Sequence, residues 1–416
     1  MKDIIGKLNT HDKDVHIWGA GYSGLILGYY LKKQGYKVHL YEISNKIGGK
    51  IGTNKTFAGP AETGANAFYM NEDALELFNE LKLSPVPASK KLKKLLLIDG
   101  KVRRPFHPSI LSKLMFNLHK RPPLITDGLT VGDFFDPLMG KENVEKYVSP
   151  LLGGVYATAS EKLHFKSVFG HVDETTQYSS YFEFLKKVLN KIKKNEQLKI
   201  SGSVTFEGGM QTLINTLGEN LKQEIKLNYK TPFELKKNTI LCTDAQTASR
   251  LLSHVKPEIS EELKRIHYQP LSTTTVFTKR DIKCLNKAFG ILMPFESNLN
   301  SIGIINNKAI FPANHENINS YTFISRSLSR KNDFLTDIQY LQSDLSNDDV
   351  EHVESKFWEN AIPVYDLQRY LSVKKIHQLL RNESGLAIFG NYVGSISLRE
   401  MLVSAKSFSL KNRLHT

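Results

Sequence analysis

Hydrophobic and polar positions form their strongest pattern near the amino terminus. Val15-His-Ile-Trp18 alternates, Gly19-Ala-Gly21-Tyr-Ser-Gly24 interrupts, an apolar-rich run reaches Gln34, and Gly35 precedes Val38-His-Leu-Tyr41. Strand, glycine turn, helix and strand in that order predict the parallel unit that opens a doubly wound sheet. Leu75, Leu77, Phe78 and Leu81 recur at helical spacing across residues 72–82, after Asn71, a residue suited to capping. Phe184, Leu185, Val188, Leu189 and Ile192 do so from Phe184 to Lys199 among six lysines, which predicts an amphipathic helix with a cationic face. Strand-like runs return at Asn238–Cys242, Ser272–Thr278 and Leu386–Phe389, so the sheet draws on distant parts of the chain and the middle is inserted.

Composition narrows the class. With 416 residues, 40% hydrophobic and 24% charged, the chain has the make-up of two or three folded domains. Lys+Arg 56 against Asp+Glu 42 leaves +14, a surplus that favours nucleic acid, an acidic membrane surface or a polycarboxylate substrate. No helix-turn-helix, zinc-finger or aromatic RNA-binding pattern accompanies it, which sets nucleic acid aside. Residues 90–121 hold ten basic side chains and one acid, Asp99, interleaved with the apolar runs Leu95–Ile98, Ile110-Leu111 and Leu114–Phe116. That is the composition of a segment lying on a membrane surface, or of one closing a substrate pocket. Cys242 and Cys284 are the only cysteines, too few for a disulfide framework or a cysteine-based metal centre, and no metal is expected. The first residues lack an apolar signal core and no run of about 20 apolar residues is present. The expected location is cytoplasmic, with at most peripheral attachment to the inner face of a membrane.

The glycine triad carries the first candidate chemistry. Gly19 permits a tight turn, Gly21 lets backbone approach a pyrophosphate, and Gly24 lets helix pack on strand, so that the helix N-terminus with Tyr22 and Ser23 faces the phosphates. Glu42 comes at the end of the second strand, where a carboxylate accepts from a ribose hydroxyl and disfavours the 2′-phosphate of NADP. These residues alone leave NAD and FAD open.

The segments beyond Glu42 separate the two cofactors. Ile47-Gly48-Gly49-Lys50-Ile51-Gly52-Thr53 resembles the glycine doublet of the FAD-dependent amine-oxidase-like superfamily, with Lys50 in place of the usual Arg. Lys50 keeps the charge and loses the bidentate fork. Glu62-Thr-Gly64-Ala65-Asn66 is similar to that superfamily's Glu-x-Gly segment beside the isoalloxazine. Within it, Gly154-Val-Tyr156-Ala157, Gly208-Gly209-Met210-Gln-Thr-Leu213, Ile362-Pro-Val-Tyr365 and Gly390-Asn391-Tyr392 resemble, in register, segments of the protoporphyrinogen and coproporphyrinogen oxidases.

The resemblance implies an α/β fold: a Rossmann-like FAD-binding domain from residues 1–70, 203–260 and 370–416, with an inserted α+β substrate domain. The expected insertion comprises a helical, basic part at 71–202, facing substrate or membrane, and an antiparallel sheet at 261–369. FAD is the implied cofactor, held by Gly19, Gly21, Tyr22, Ser23, Gly24, Glu42, Gly48, Gly49, Lys50, Gly64, Ala65, Asn66, Gly390, Asn391, Ser397 and Leu398. The implied activity is hydride transfer from a porphyrinogen to flavin, with reoxidation by oxygen or another acceptor, a reaction of haem biosynthesis. Arg103, Arg104 and His107 are implied partners of substrate propionates, or belong to a solvated basic loop. Tyr156 packs on the tetrapyrrole or is plain core. No side-chain catalyst is assigned, since the flavin does the chemistry. A helix after Leu398 would turn its N-terminus to the flavin.

Departures keep other readings open. Arg399-Glu400-Met401 replaces the usual closing pair, Thr158-Ala159 comes after Tyr156-Ala157 where Gly-Asp is common, and the adenine-side hairpin between Leu227 and Leu241 is short. The alternatives are an FAD-dependent amine oxidase or polyene desaturase, or a degenerate flavin-binding protein.

Overall fold

Strands β1 (Ile4–Lys7) and β2 (Asp14–Trp18), helix α1 (Tyr22–Lys33) and strand β3 (Lys37–Tyr41) begin the first sheet. The computed structural model describes residues 4–90, 92–105, 108–170, 177–194, 202–315, 318–326 and 333–414. Six strands run in the order β1, Leu386–Phe389, Thr239–Leu241, β2, β3, Ile225–Lys226. All neighbours are parallel except β1, which pairs antiparallel with Leu386–Phe389. Leu386–Phe389 and Thr239–Leu241 are buried throughout, as parallel strands covered on both faces require. On one face α1 buries Leu25, Ile26, Leu27 and Leu31 with the helices Gln211–Asn220 and Leu398–Lys411. The other face is closed by Ala245–Leu252, Pro257–Lys264 and Leu367–Leu379 through Ala248, Leu263, Val373 and Ile376.

The short adenine-side hairpin is replaced by a loop. After the two-residue strand Ile225–Lys226, Tyr229 and Phe233 fold back on Trp18 with ring centres 5.8 and 5.0 Å away, and Tyr229 lies 4.4 Å from Tyr41. Aromatic side chains thus cover the sheet face above β2 and β3.

A second sheet has seven strands in the order Val350–Pro363, Tyr268–Thr278, Asn319–Ser325, Ser301–Asn306, Ala288–Leu292, Lys93–Ile98, Lys101–Arg103. It is antiparallel except where Ala288–Leu292 meets Lys93–Ile98. The last two strands come from the segment expected to be a helical insertion. Leu95–Ile98, expected as a membrane-lying or pocket-closing run, is a buried strand. Asp99 and Gly100, at φ +49° and +72°, form the two-residue turn that returns the chain to Lys101–Arg103.

Besides the short strand Pro85–Pro87, the rest of that segment is helical among the described residues. Pro108–Asn117, Val131–Met139, Ser149–Tyr156 and Tyr181–Lys194 surround Phe134, Phe165, Tyr181 and Phe184. The last of these helices starts three residues before the expected Phe184, and residues 195–201 lie outside the described range. Helix Ser149–Tyr156 lies directly on the second sheet because two adjacent glycines face it. A Cβ at Gly153 would fall 2.5 Å from the Phe295 ring, and one at Gly154 2.8 Å from Leu292.

Candidate functional site

The glycine turn leaves β2 and enters α1 at the carboxyl edge of the parallel sheet. Gly19 sits at φ +105°, and a Cβ on Gly24 would lie 1.9 Å from its carbonyl oxygen, so helix and turn touch backbone to backbone. Around Gly21 there is room: the nearest atom to an added Cβ is the Gly49 Cα, at 3.7 Å. Gly21 is also the N-cap of α1 and brings no side chain to it, so the first-turn N–H groups of Tyr22 and half-buried Ser23 face outward with the positive end of the dipole.

Glu42 is fixed beside this turn. Its Oε2 accepts from Ala20 N at 2.9 Å, and its Oε1 accepts from Ser44 N at 2.9 Å and Ser44 Oγ at 2.8 Å. Of roughly four acceptor positions on a carboxylate, that leaves one for a ribose hydroxyl. Gly48 bridges to Gly21, donating its N–H to Ala20 O at 2.8 Å, which places the doublet against the turn. An adenosine diphosphate fits these residues: an open cradle at Gly21, an uncapped helix terminus and an oriented carboxylate.

Three of the family-like segments meet at Glu62. Thr53 Oγ1 donates to its Oε2 at 2.7 Å and Met210 N to its Oε1 at 2.9 Å, while Gln211 N donates to Thr53 Oγ1 at 3.0 Å. Burial raises this carboxyl to about 8, against the lowering effect of the two hydrogen bonds. Lys50 turns away from the doublet: its Nζ donates to Ala361 O at 3.0 Å and sits 5.0 Å from the Tyr268 ring centre. Burial lowers its ammonium to about 8, partly offset by Asp244. Gly64 packs on the Lys50 carbonyl, leaving 2.0 Å for a Cβ; Ala65 is half-buried beside it, and Asn66 Nδ2 donates to Asn307 Oδ1 at 3.4 Å. Beside the doublet a cavity of about 680 Å³ is lined by Lys46, Thr53, Gln211, Lys222, Lys356 and Trp358, among others.

The carboxy-terminal segment closes the groove from the other side. From strand Leu386–Phe389 the chain passes through Gly390 and Asn391 to Ser397, the N-cap of the fourteen-residue helix Leu398–Lys411, which has no side-chain cap bond. The Tyr22 hydroxyl donates to Leu398 O at 3.1 Å, joining the starts of the two helices. Tyr365 Oη donates to Asn391 O at 2.6 Å and to Gly394 O at 3.0 Å. Tyr156 meets Tyr365 edge-on, ring centres 4.9 Å apart.

The structure therefore gathers the cofactor candidates and Tyr156 at one edge. It places Arg103 on the outermost strand of the second sheet, at the opposite end from Val350–Pro363, with Arg104 exposed after it. His107 lies outside the described residues. Glu62 and Tyr365 stood in recognised segments without an assigned part. Among the described residues no group of three or more His, Cys, Asp or Glu side chains is placed to hold a metal ion.

A dinucleotide groove in a parallel sheet, with a second sheet joined to it through Lys50 and the segment after Pro363, is the architecture of FAD-dependent oxidoreductases. The profile of the family described as flavin-containing amine oxidoreductase matches residues 22–231, half of the chain, and the protein belongs to that family, an enzyme class that uses FAD. It is 24% identical to protoporphyrinogen oxidase 2 of Arabidopsis thaliana, over 94% of this chain and 92% of that one. Coproporphyrinogen III oxidase of Staphylococcus aureus is 28% identical over 53% of this chain and 54% of its own. A crystal structure of a provisional protoporphyrinogen oxidase from Exiguobacterium sp. 255-15 superposes with a TM-score of 0.79 at 15% identity, covering 97% of this chain and 99% of that one.

Proposed function

We propose that the protein oxidises a porphyrinogen. What supports this most is the extent of the likeness: the 24% identity to a protoporphyrinogen oxidase runs through 94% of the chain, insertion included, rather than through the dinucleotide segments alone. FAD, when bound, supplies the hydride acceptor for a meso carbon of the macrocycle. The chain's own residues bind, orient and exclude water. In this reading Gly19, Gly21, Gly24, Glu42, Gly48 and Gly49 hold the adenosine diphosphate, and the Ser397–Leu398 helix terminus stabilises negative charge on the flavin ring. Tyr156 walls the tetrapyrrole, while Arg103 and Arg104, at the far edge of the second sheet, belong to a solvated basic turn. Oxygen or another acceptor restores the flavin.

Peripheral attachment to an anionic membrane belongs to the same reading. Met115 and Phe116 on helix Pro108–Asn117 are 73% and 76% exposed, and Phe182 and Leu189 on the lysine-rich helix Tyr181–Lys194 are 60% and 54% exposed. Leu114, by contrast, packs against the helical core.

Aerobic turnover tests the substrate. Protoporphyrinogen or coproporphyrinogen should yield a fluorescent porphyrin, and comparison of the two ranks them. An amine or polyene that turns over while both porphyrinogens do not would replace this reading with the amine-oxidase or desaturase alternative. No turnover with any of them would favour the degenerate one.

A further inference from the structure

The second sheet carries an apolar patch that adjoins the cofactor groove. Ala157, Leu271 and Ala361 are buried in it, and Phe295, Ile324 and Trp358 pack on them while staying half-buried. The patch meets the groove at two points. Trp358 Nε1 donates to Thr63 O at 2.6 Å, within the Glu62–Asn66 segment, and Ala361 O accepts from Lys50 Nζ at 3.0 Å. At its other end Ala157 joins it to helix Ser149–Tyr156.

A cation is fixed at the rim of this patch. Arg326 comes two residues after Ile324, just past the end of strand Asn319–Ser325, so the alternation of a strand puts both on one face. Its Nη2 donates to Phe295 O at 3.0 Å, and its guanidinium lies 4.8 Å from the Phe295 ring centre. The Phe295 ring is itself seated against Gly153, where a Cβ would come within 2.5 Å of it, one helical turn before Tyr156. A guanidinium has five donors, and these contacts use one of them and one flat face. No ion pair of Arg326 is formed among the described residues. A donor fork is thus held open beside an apolar surface, the pairing that recognises a carboxylate on the rim of a flat apolar ring.

We propose that Arg326 binds a peripheral carboxylate of the substrate and selects for rings that carry one. The proposal rests on the porphyrinogen reading, whose substrates bear propionates. The ring covers the patch between Thr63 and Phe295 while a propionate reaches the guanidinium, a part that Arg103 and Arg104, at the far edge of the sheet, are not placed to play.

Steady-state oxidation of protoporphyrinogen, coproporphyrinogen and their methyl esters by the FAD-loaded protein tests this. Arg326 is exposed, so its replacement should leave folding and flavin content unchanged. Arg326→Leu should raise KM for the free acids by about tenfold, with kcat and the KM of the esters changed by less than about threefold. Arg326→Lys, which keeps the charge without the fork, should fall between, and Arg103→Leu should behave as the wild type. An unchanged KM for the free acids in Arg326→Leu, or an equal rise for acids and esters, overturns the proposal and leaves the porphyrinogen reading standing. If the wild type oxidises neither porphyrinogen, that reading falls, and coproporphyrin fluorescence decides for Arg326. Quenching by the wild type about tenfold more tightly than by Arg326→Leu supports the carboxylate site, and equal or absent quenching overturns it.

Discussion

Glu62 and Lys50 are two half-buried ionisable side chains beside the glycine doublet whose protonation the surroundings have shifted toward neutrality. For Glu62 the folded pKa, about 8, lies above the ordinary carboxylate value, so its contribution to stability is complete below about pH 4.5 and is lost as pH rises through 8. Glu62→Gln, which keeps the shape without the charge, should therefore gain on the wild type between those values, by up to about 1.4 kcal/mol per pH unit, in thermal or urea unfolding at pH 5 and pH 8.5. A pH-independent difference would contradict the buried-acid account. Lys50 has the opposite sign: its folded value of about 8 lies below the ordinary 10.5, so its contribution to stability rises between those two values. Urea unfolding at pH 7.5 and pH 10 should show a larger rise for the wild type than for Lys50→Met, and equal changes would contradict the shift. Both residues could be read from their sequence segments as neighbours of the cofactor. Their burial could not, because it comes from Met210, Ala361 and Tyr268, supplied by other segments.

At the level of elements, local pattern was enough wherever one segment contains the whole signal. The β2–α1–β3 unit, the Asn71-capped helix Glu72–Glu80 and the strand Leu386–Phe389 stand where periodicity and turn residues predict them. The hairpin Lys93–Arg103 was hidden by its composition, since two lysines and a basic neighbourhood drew attention from four consecutive buried residues and an Asp-Gly turn. The parallel neighbour of its first strand, Ala288–Leu292, lies far along the chain and no local rule names it. The most exacting contact between elements is that of α1 with the turn before it. Gly24→Ala adds about 1 kcal/mol of helix propensity but forces a methyl group to 1.9 Å from the Gly19 carbonyl, which cannot rotate aside. The net effect should be a loss of about 2 kcal/mol or more in unfolding and of most bound FAD, and a variant with wild-type flavin content would show that the helix does not seat this way.

For the molecule as a whole, the surplus of basic residues and the exposed apolar side chains of the helical insertion make one testable surface. No helix among the described residues is long and apolar enough to cross a membrane. At roughly 1 kcal/mol per engaged Lys or Arg, four such contacts give about 4 kcal/mol before any apolar insertion. The protein should sediment with anionic vesicles at low salt, less at high salt, and less again as Met115→Glu with Phe116→Glu. Failure to sediment at low salt would reject the membrane part of the account. The central claim, that a porphyrinogen gives its hydride to the flavin this chain holds, is tested most directly by anaerobic mixing of the FAD-loaded protein with each porphyrinogen while flavin absorbance is followed. Rapid bleaching of the oxidised band by at least one of them is the predicted result. A band that survives both porphyrinogens, in protein that dithionite still reduces, would contradict it.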